Sequence, residues 1–195
     1  ALADASRAKL DLVCRKLGLE PGMRVLDVGC GWGGTLRYAA ERHGVLGVGI
    51  TVSAEQARLA TEACSGLPIE IRLQDYREVT GQFDSGVSVE MIEAVGEEFW
   101  ETYFRQIDHL LAPGGAVAIQ AILMEHHRLM ATKGSFGWIQ KYIFPGGLLP
   151  SLQAIRGEEI APRAFVKLFD EKSRMLGFDR AFADRYLNEG FSGGE

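Results

Sequence analysis

No apolar run approaches the ~18 residues that a membrane span needs, so no stretch reads as a transmembrane helix. The first residues, Ala1-Leu2-Ala3-Asp4-Ala5-Ser6-Arg7, lack the apolar core of a signal peptide. Cysteine is scarce. Cys14, Cys30 and Cys64 are far apart, odd in number and form no C-x-x-C pair, which argues against a disulfide framework or a metal site and for reduced thiols in a cytosolic protein. Runs of Lys and Arg are missing as well. The 21 basic residues face 26 acids, a formal net charge of −5, so nothing points to a nucleic-acid partner. Repeats and low-complexity tracts are absent, and 195 residues suit a single domain with a sizeable core.

What is present is organised around one glycine-rich turn. Val25-Leu26-Asp27-Val28 reads as a buried parallel strand. Gly29, Gly31, Gly33 and Gly34 then crowd the point where a helix opens near Gly33 or Thr35. Glycines let the backbone turn sharply and approach a ligand. The helix start adds unpaired N–H groups at its positive end. Gly29, Gly31 and Gly34 satisfy G-x-G-x-x-G, so a dinucleotide site has to be weighed. That reading needs an acid for the ribose about twenty residues on. Gly49-Ile50-Thr51-Val52 stands there and supplies none. Asp27, just before the turn, is instead similar to the first residue of D-x-G-x-G-x-G, the opening motif of class I S-adenosylmethionine (SAM) methyltransferases. SAM is therefore favoured over NAD, with a ligand-free β–α turn as the plain alternative.

The remaining punctuation sets the fold class. Residues 2–17 have helical apolar spacing and stop at Gly18 and Pro21-Gly22. A helix over 34–43, a strand over 45–50 and a helix over 54–64 follow, the last opened by the capping box Ser53 and Gln56. Strands are expected at 69–73 and 85–89, a helix at 97–111, a turn at 112–115 and a fifth strand at 116–124. This alternation predicts an α/β fold, a doubly wound, mainly parallel sheet ordered 3-2-1-4-5. Past residue 125 the pattern changes to a polar helix from His126 and an aromatic, glycine-paired stretch over 136–150. That stretch either packs on the sheet or lines an apolar pocket. His126 and His127 are adjacent, so on a helix they point about 100° apart and read as solvated side chains rather than a metal pair.

Several stretches together resemble the cyclopropane-fatty-acyl-phospholipid synthase family. They are Val25–Gly34, Gly49–Gln56, Gln74-Asp75-Tyr76-Arg77, Ser88–Gly96 and Lys141-Tyr142-Ile143-Phe144-Pro145-Gly146-Gly147. The likeness covers roughly residues 2–155 and is strongest to an actinobacterial branch that makes 10-methylene and 10-methyl fatty acids. It implies a Rossmann-like class I SAM methyltransferase fold across 1–195, with about 125–155 as an acyl-pocket insertion. It also implies SAM contacts at Asp27, Gly29, Gly31, Thr51, Gln56, Gln74, Asp75 and Tyr76. The resemblance further implies methyl transfer to the double bond of an unsaturated acyl phospholipid, giving a methylene-branched or a cyclopropane acyl chain, at a transiently visited membrane surface. The place would be cytoplasmic, at the membrane's inner face, with room for a reductase partner and a homo-oligomer.

An alkene is a weak nucleophile, so such a site must hold the sulfonium methyl in line and dry. The carbocation left by attack needs negative charge nearby and a base. In the family a bicarbonate serves, held partly by a glutamate at the position of Glu93 and by backbone at the positions of Val89 and Ile122. Glu90 competes with Glu93 for the role, and a helix-start carboxylate without function is the plain reading of Glu93. The family's histidine falls at Gln120, which cannot exchange a proton near neutral pH; base function then shifts to bicarbonate or Glu93, and the product toward methylene. The family's cysteine, covering lid, H-Y-x-x-T-L tyrosine and closing hairpin have no counterpart here, which keeps open a SAM-binding subunit without catalysis or methylation of another small molecule. Residues 156–195 look like compressed fragments, with Leu176–Asp179 and Gly190-Phe191 recognisable, and predict breaks between consecutive residues in 150–195.

Overall fold

The computed structural model describes residues 2–132, 134, 142 and 146–156. The chain opens with α1 (Leu2–Leu17), then β1 (Arg24–Val28), α2 (Gly34–His43), β2 (Leu46–Thr51), α3 (Ala54–Ala63) and β3 (Ile69–Leu73). A 3₁₀ turn (Tyr76–Glu78) leads to β4 (Phe83–Val89), and two more 3₁₀ turns (Ile92–Ala94 and Glu97–Phe99) lead to α4 (Trp100–Leu110). β5 (Leu111–Gln120), α5 (His126–Thr132) and α6 (Leu152–Arg156) complete the described elements. The five strands form one sheet in the order β3-β2-β1-β4-β5, every pair parallel. This is the expected doubly wound sheet, with its order reversal between β1 and β4.

Period-two alternation divides the side chains between two faces. Leu26, Val28, Val48 and Ile50 pack under α4 with Trp100, Tyr103, Ile107 and Leu110. Val25 and Val87 pack on the other face with Cys14 and Leu17 of α1 and Leu36, Ala39 and Ala40 of α2. Each fully buried aliphatic side chain contributes about 1.5–3 kcal/mol relative to exposure. Glycine sets the spacing of β2. A Cβ at Gly47 would lie 3.1 Å from Leu36 Cδ2, and one at Gly49 would lie 3.0 Å from Cys30 Cβ. The second strand thus lets α2 and the turn after β1 settle directly on its backbone.

Three expectations need correction. The fifth strand begins at Leu111 rather than 116, because Leu111 already pairs with Phe83. The expected Pro-Gly-Gly turn is an irregularity within the strand, at the register shift between Phe83 and Ser85. At its far end β5 stops at Gln120 rather than 124, where its partner Val89 is the last residue of β4, so Ile122 lies beyond the strand. His126 is also not simply solvated: its Nδ1 lies 2.8 Å from Oγ of the buried Ser151. His127 is exposed beside Glu125, 3.4 Å away. Most of 136–150, and all of 157–195 where the breaks were expected, lie outside the described residues.

Candidate active site

The turn after β1 is built from left-handed backbone: Gly29 has φ 82°, Gly31 53° and Gly33 77°. The amides of Gly29 and Cys30 both donate to Ile50 O, at 3.1 and 2.9 Å, which ties the turn to β2. A Cβ at Gly31 would meet nothing within 4 Å, so the backbone there faces open space. Gly33 caps α2 without a side-chain hydrogen bond, and a Cβ on it would come within 2.9 Å of Cys64 Sγ. Asp27 sits beneath this turn, 1% exposed, and its Oδ2 has no partner. Burial alone pushes its carboxyl from 3.8 to about 7. The same burial, with Asp27 adding, pushes the Cys30 thiol up to about 12. Such a carboxyl needs a cation or a hydrogen-bond donor.

A second group of polar atoms hangs from the carboxyl ends of β4 and β5. Glu93 is 9% exposed on the 3₁₀ turn after β4. Its Oε1 accepts from the Ile122 amide, its Oε2 is buried without a partner, and its carbonyl accepts from Leu148 N at 2.9 Å. Gln120 donates from Nε2 to Glu90 Oε1 at 2.8 Å, while its own Oε1 is buried without a partner. Val89 pairs in register with Gln120. Below them Tyr103 is fully buried, and burial pushes its phenol up to about 12. Around the order-reversal point of the sheet, where open α/β sheets take their ligands, four buried side-chain oxygens lack a partner among the described residues: Asp27 Oδ2, Glu93 Oε2, Gln120 Oε1 and the Tyr103 hydroxyl.

The mycolic acid cyclopropane synthetase family matches residues 1–178. The chain belongs to this family. It is 52% identical over 158 residues to tuberculostearic acid methyltransferase UfaA1 of Mycobacterium tuberculosis, covering 79% of this chain and 37% of that protein. It is 48% identical over 154 residues to the cyclopropane-fatty-acyl-phospholipid synthase of Escherichia coli, covering 79% and 39%. The chain thus spans about two fifths of the length of these curated relatives. Among solved structures, mycolic acid cyclopropane synthase CmaA1 complexed with SAH and CTAB superposes with a TM-score of 0.73 at 32% identity, covering 80% of this chain and 60% of that one.

Of the residues that the cyclopropane synthetase resemblance singles out, a third set lies at the ends of β2 and β3. Buried Thr51 donates from Oγ1 to Gln56 Oε1 at 2.7 Å and accepts from Ser53 N at 3.1 Å. Gln74 N donates to Thr51 O at 2.9 Å, and its side chain donates to Glu78 O at 3.0 Å. Asp75 accepts from the Arg77 amide and guanidinium, at 2.9 Å and 2.6 Å, and caps the 3₁₀ turn. That guanidinium holds the Asp75 carboxyl below its ordinary range. Tyr76 is half-buried, its ring edge-on to Tyr103 with centroids 5.7 Å apart. These groups are gathered along one edge, and several are already committed to local structure.

Two features of this candidate site were not visible in the sequence. One is the Glu90–Gln120 pair, which depends on the register of β4 against β5. The other is an apolar rim: Trp32, Val52, Leu73, Ile122 and Leu123 are all exposed at or just after the carboxyl ends of strands. Among the described residues, no three His, Cys, Asp or Glu side chains gather as a metal site, and no helix is long and apolar enough to cross a membrane.

Proposed function

We propose that the protein is a SAM-dependent C-methyltransferase that acts on the double bond of an unsaturated phospholipid acyl chain and forms a methylene branch. The observation that carries this is Glu93: a buried carboxylate at the carboxyl end of β4, one oxygen anchored by the Ile122 amide and the other without a partner.

SAM fits the residues present. Asp27 Oδ2 suits the ammonium of its methionine part, Gly29 and Gly31 give backbone access, and Thr51 with Gln56 offers the ribose polar groups in place of an acid. When bound, SAM supplies an electrophilic methyl on a sulfonium. The chain's contribution is to exclude water around the reacting carbons, to face the developing positive charge with the Glu93 and Gln120 oxygens, and to take up the released proton at Glu93 Oε2. Bicarbonate, which the family resemblance implies, stays part of this reading: the O–H of the anion would find an acceptor in Glu93 Oε2.

The rim of Trp32, Val52, Leu73, Ile122 and Leu123 supports an acyl ligand and a transient stay at the inner face of the membrane. A homo-oligomer, and a separate reductase that converts methylene to methyl, belong to the same reading. The test uses full-length protein, methyl-labelled SAM and vesicles of either oleoyl or stearoyl phospholipid. Label should enter the oleoyl lipid alone. Equal label in both, or none in either with SAM still bound, removes the proposed acceptor.

A further inference from the structure

Among the described residues, Glu90 alone apart from glycine has a left-handed backbone, φ 52°. A residue with a Cβ holds such a conformation only where its surroundings over-determine it, and such residues cluster at functional sites. Here the constraint comes from one neighbour. Glu90 N donates to Gln120 O at 2.8 Å, and Glu90 Oε1 accepts from Gln120 Nε2 at 2.8 Å. A carboxylate only accepts, so it fixes which end of the Gln120 amide it meets. The NH₂ end turns to Glu90 and the carbonyl oxygen is left buried, without a partner, near the wall that carries Glu93.

We propose that Glu90 is a positioning residue that locks the Gln120 carbonyl toward the reacting acyl carbons, and that this lock selects the methylene branch over the cyclopropane ring. The proposal rests on the acyl methyltransferase reading above. In that reaction the alkene's electron pair forms a C–C bond to the methyl as the C–S bond breaks, leaving a cation on the neighbouring carbon. Prompt loss of a methyl proton closes a ring. If the cation persists, a hydride moves across from the methyl-bearing carbon, and proton loss from the methyl to Glu93 then leaves C=CH₂. The two routes balance identically, one proton released per methyl transferred, and differ only in how long the first cation survives. An amide oxygen presents the negative end of a dipole to that cation and is too weak a base to take its proton, so it favours the shift. The opposite orientation would present two N–H groups and shorten the cation's life.

The test reads the ratio of methylene to ring product rather than the rate. Full-length wild type, Glu90→Gly and Glu90→Gln are compared on oleoyl phospholipid vesicles, with ozonolysis separating the products. Glycine suits φ 52° and removes the acceptor, so the fold is kept while the lock is lost. Glutamine keeps an acceptor oxygen. SAM affinity by calorimetry should stay within about twofold in both variants, because nothing in the cofactor turn is altered. The expected result is a shift toward ring of at least ~10-fold in Glu90→Gly, with Glu90→Gln within about twofold of wild type, a tenfold ratio corresponding to 1.36 kcal/mol between barriers. An unchanged ratio in Glu90→Gly overturns the proposal, as does Glu90→Gln behaving like Glu90→Gly. Wild type that transfers no methyl to any acyl chain overturns the underlying reading itself, a distinct failure.

Discussion

Asp27 makes the unliganded protein's stability depend on pH in a direction opposite to that of a salt-bridged acid. Its carboxyl is 1% exposed, Oδ2 lacks a partner, and burial raises it from 3.8 to about 7. Between those values the folded chain keeps a proton that the unfolded chain has released. Its contribution is therefore full below about pH 4 and lost as pH rises through 7. At ~1.4 kcal/mol per pH unit the loss approaches about 4 kcal/mol, a large part of a domain's net stability. Asp27→Asn removes the titration and keeps the shape. Urea melts of both proteins across pH 4–8 isolate this group, because every other titration cancels in the difference. Wild type should lose up to about 4 kcal/mol relative to Asp27→Asn over that range, and the variant should be the more stable unliganded protein at pH 8. SAM should reverse the order: its affinity for wild type should climb by up to ~10-fold per pH unit below 7 and level off above, and for Asp27→Asn it should be flat and weaker. Parallel stability profiles would refute the burial argument.

Other substitutions probe the rest of the site. Glu93→Gln should leave SAM affinity within a few-fold and lower turnover by at least ~10²-fold, the scale of a lost acid–base group; unchanged turnover in a labelled-methyl assay removes Glu93 from the mechanism. Thr51→Val deletes the bonds to Gln56 and Ser53, so it should cost about 1–3 kcal/mol in a urea melt and weaken SAM binding in calorimetry, and an unaltered midpoint contradicts this. Gly49→Ala places a Cβ 2.8 Å from Ile71 Cδ1 and 3.0 Å from Cys30 Cβ, and should lower stability by about 1–3 kcal/mol; a stable variant would show that the turn rests less closely on β2.

The first strands and the order of the sheet were legible because short apolar runs are bounded by turn residues and parallel crossovers leave few topologies. Asp27 and the glycine turn were legible for the same local reason. What escaped depends on register. Nothing in the spacing of Glu90 and Gln120 shows that they meet, since they lie 30 residues apart and are joined only when β5 pairs with β4. The His126–Ser151 contact is hidden in the same way, spanning 25 residues. The Pro113-Gly114-Gly115 cluster misled because the residues that signal a turn also build an irregularity within a strand, and only the Leu111–Phe83 pairing distinguishes the two. The Asp75–Arg77 bond joins residues two apart and belongs to the local cap of the 3₁₀ turn.

Glu93 and Gln120, on the proposed reading, serve an acyl double bond. The most direct measurement is mass spectrometry of the acyl chains released after full-length protein has worked on oleoyl phospholipid vesicles with methyl-labelled SAM. The expected result is the gain of one labelled CH₂ and, after ozonolysis, a ketone at the branched carbon. An unlabelled acyl chain alongside intact SAM binding would contradict it.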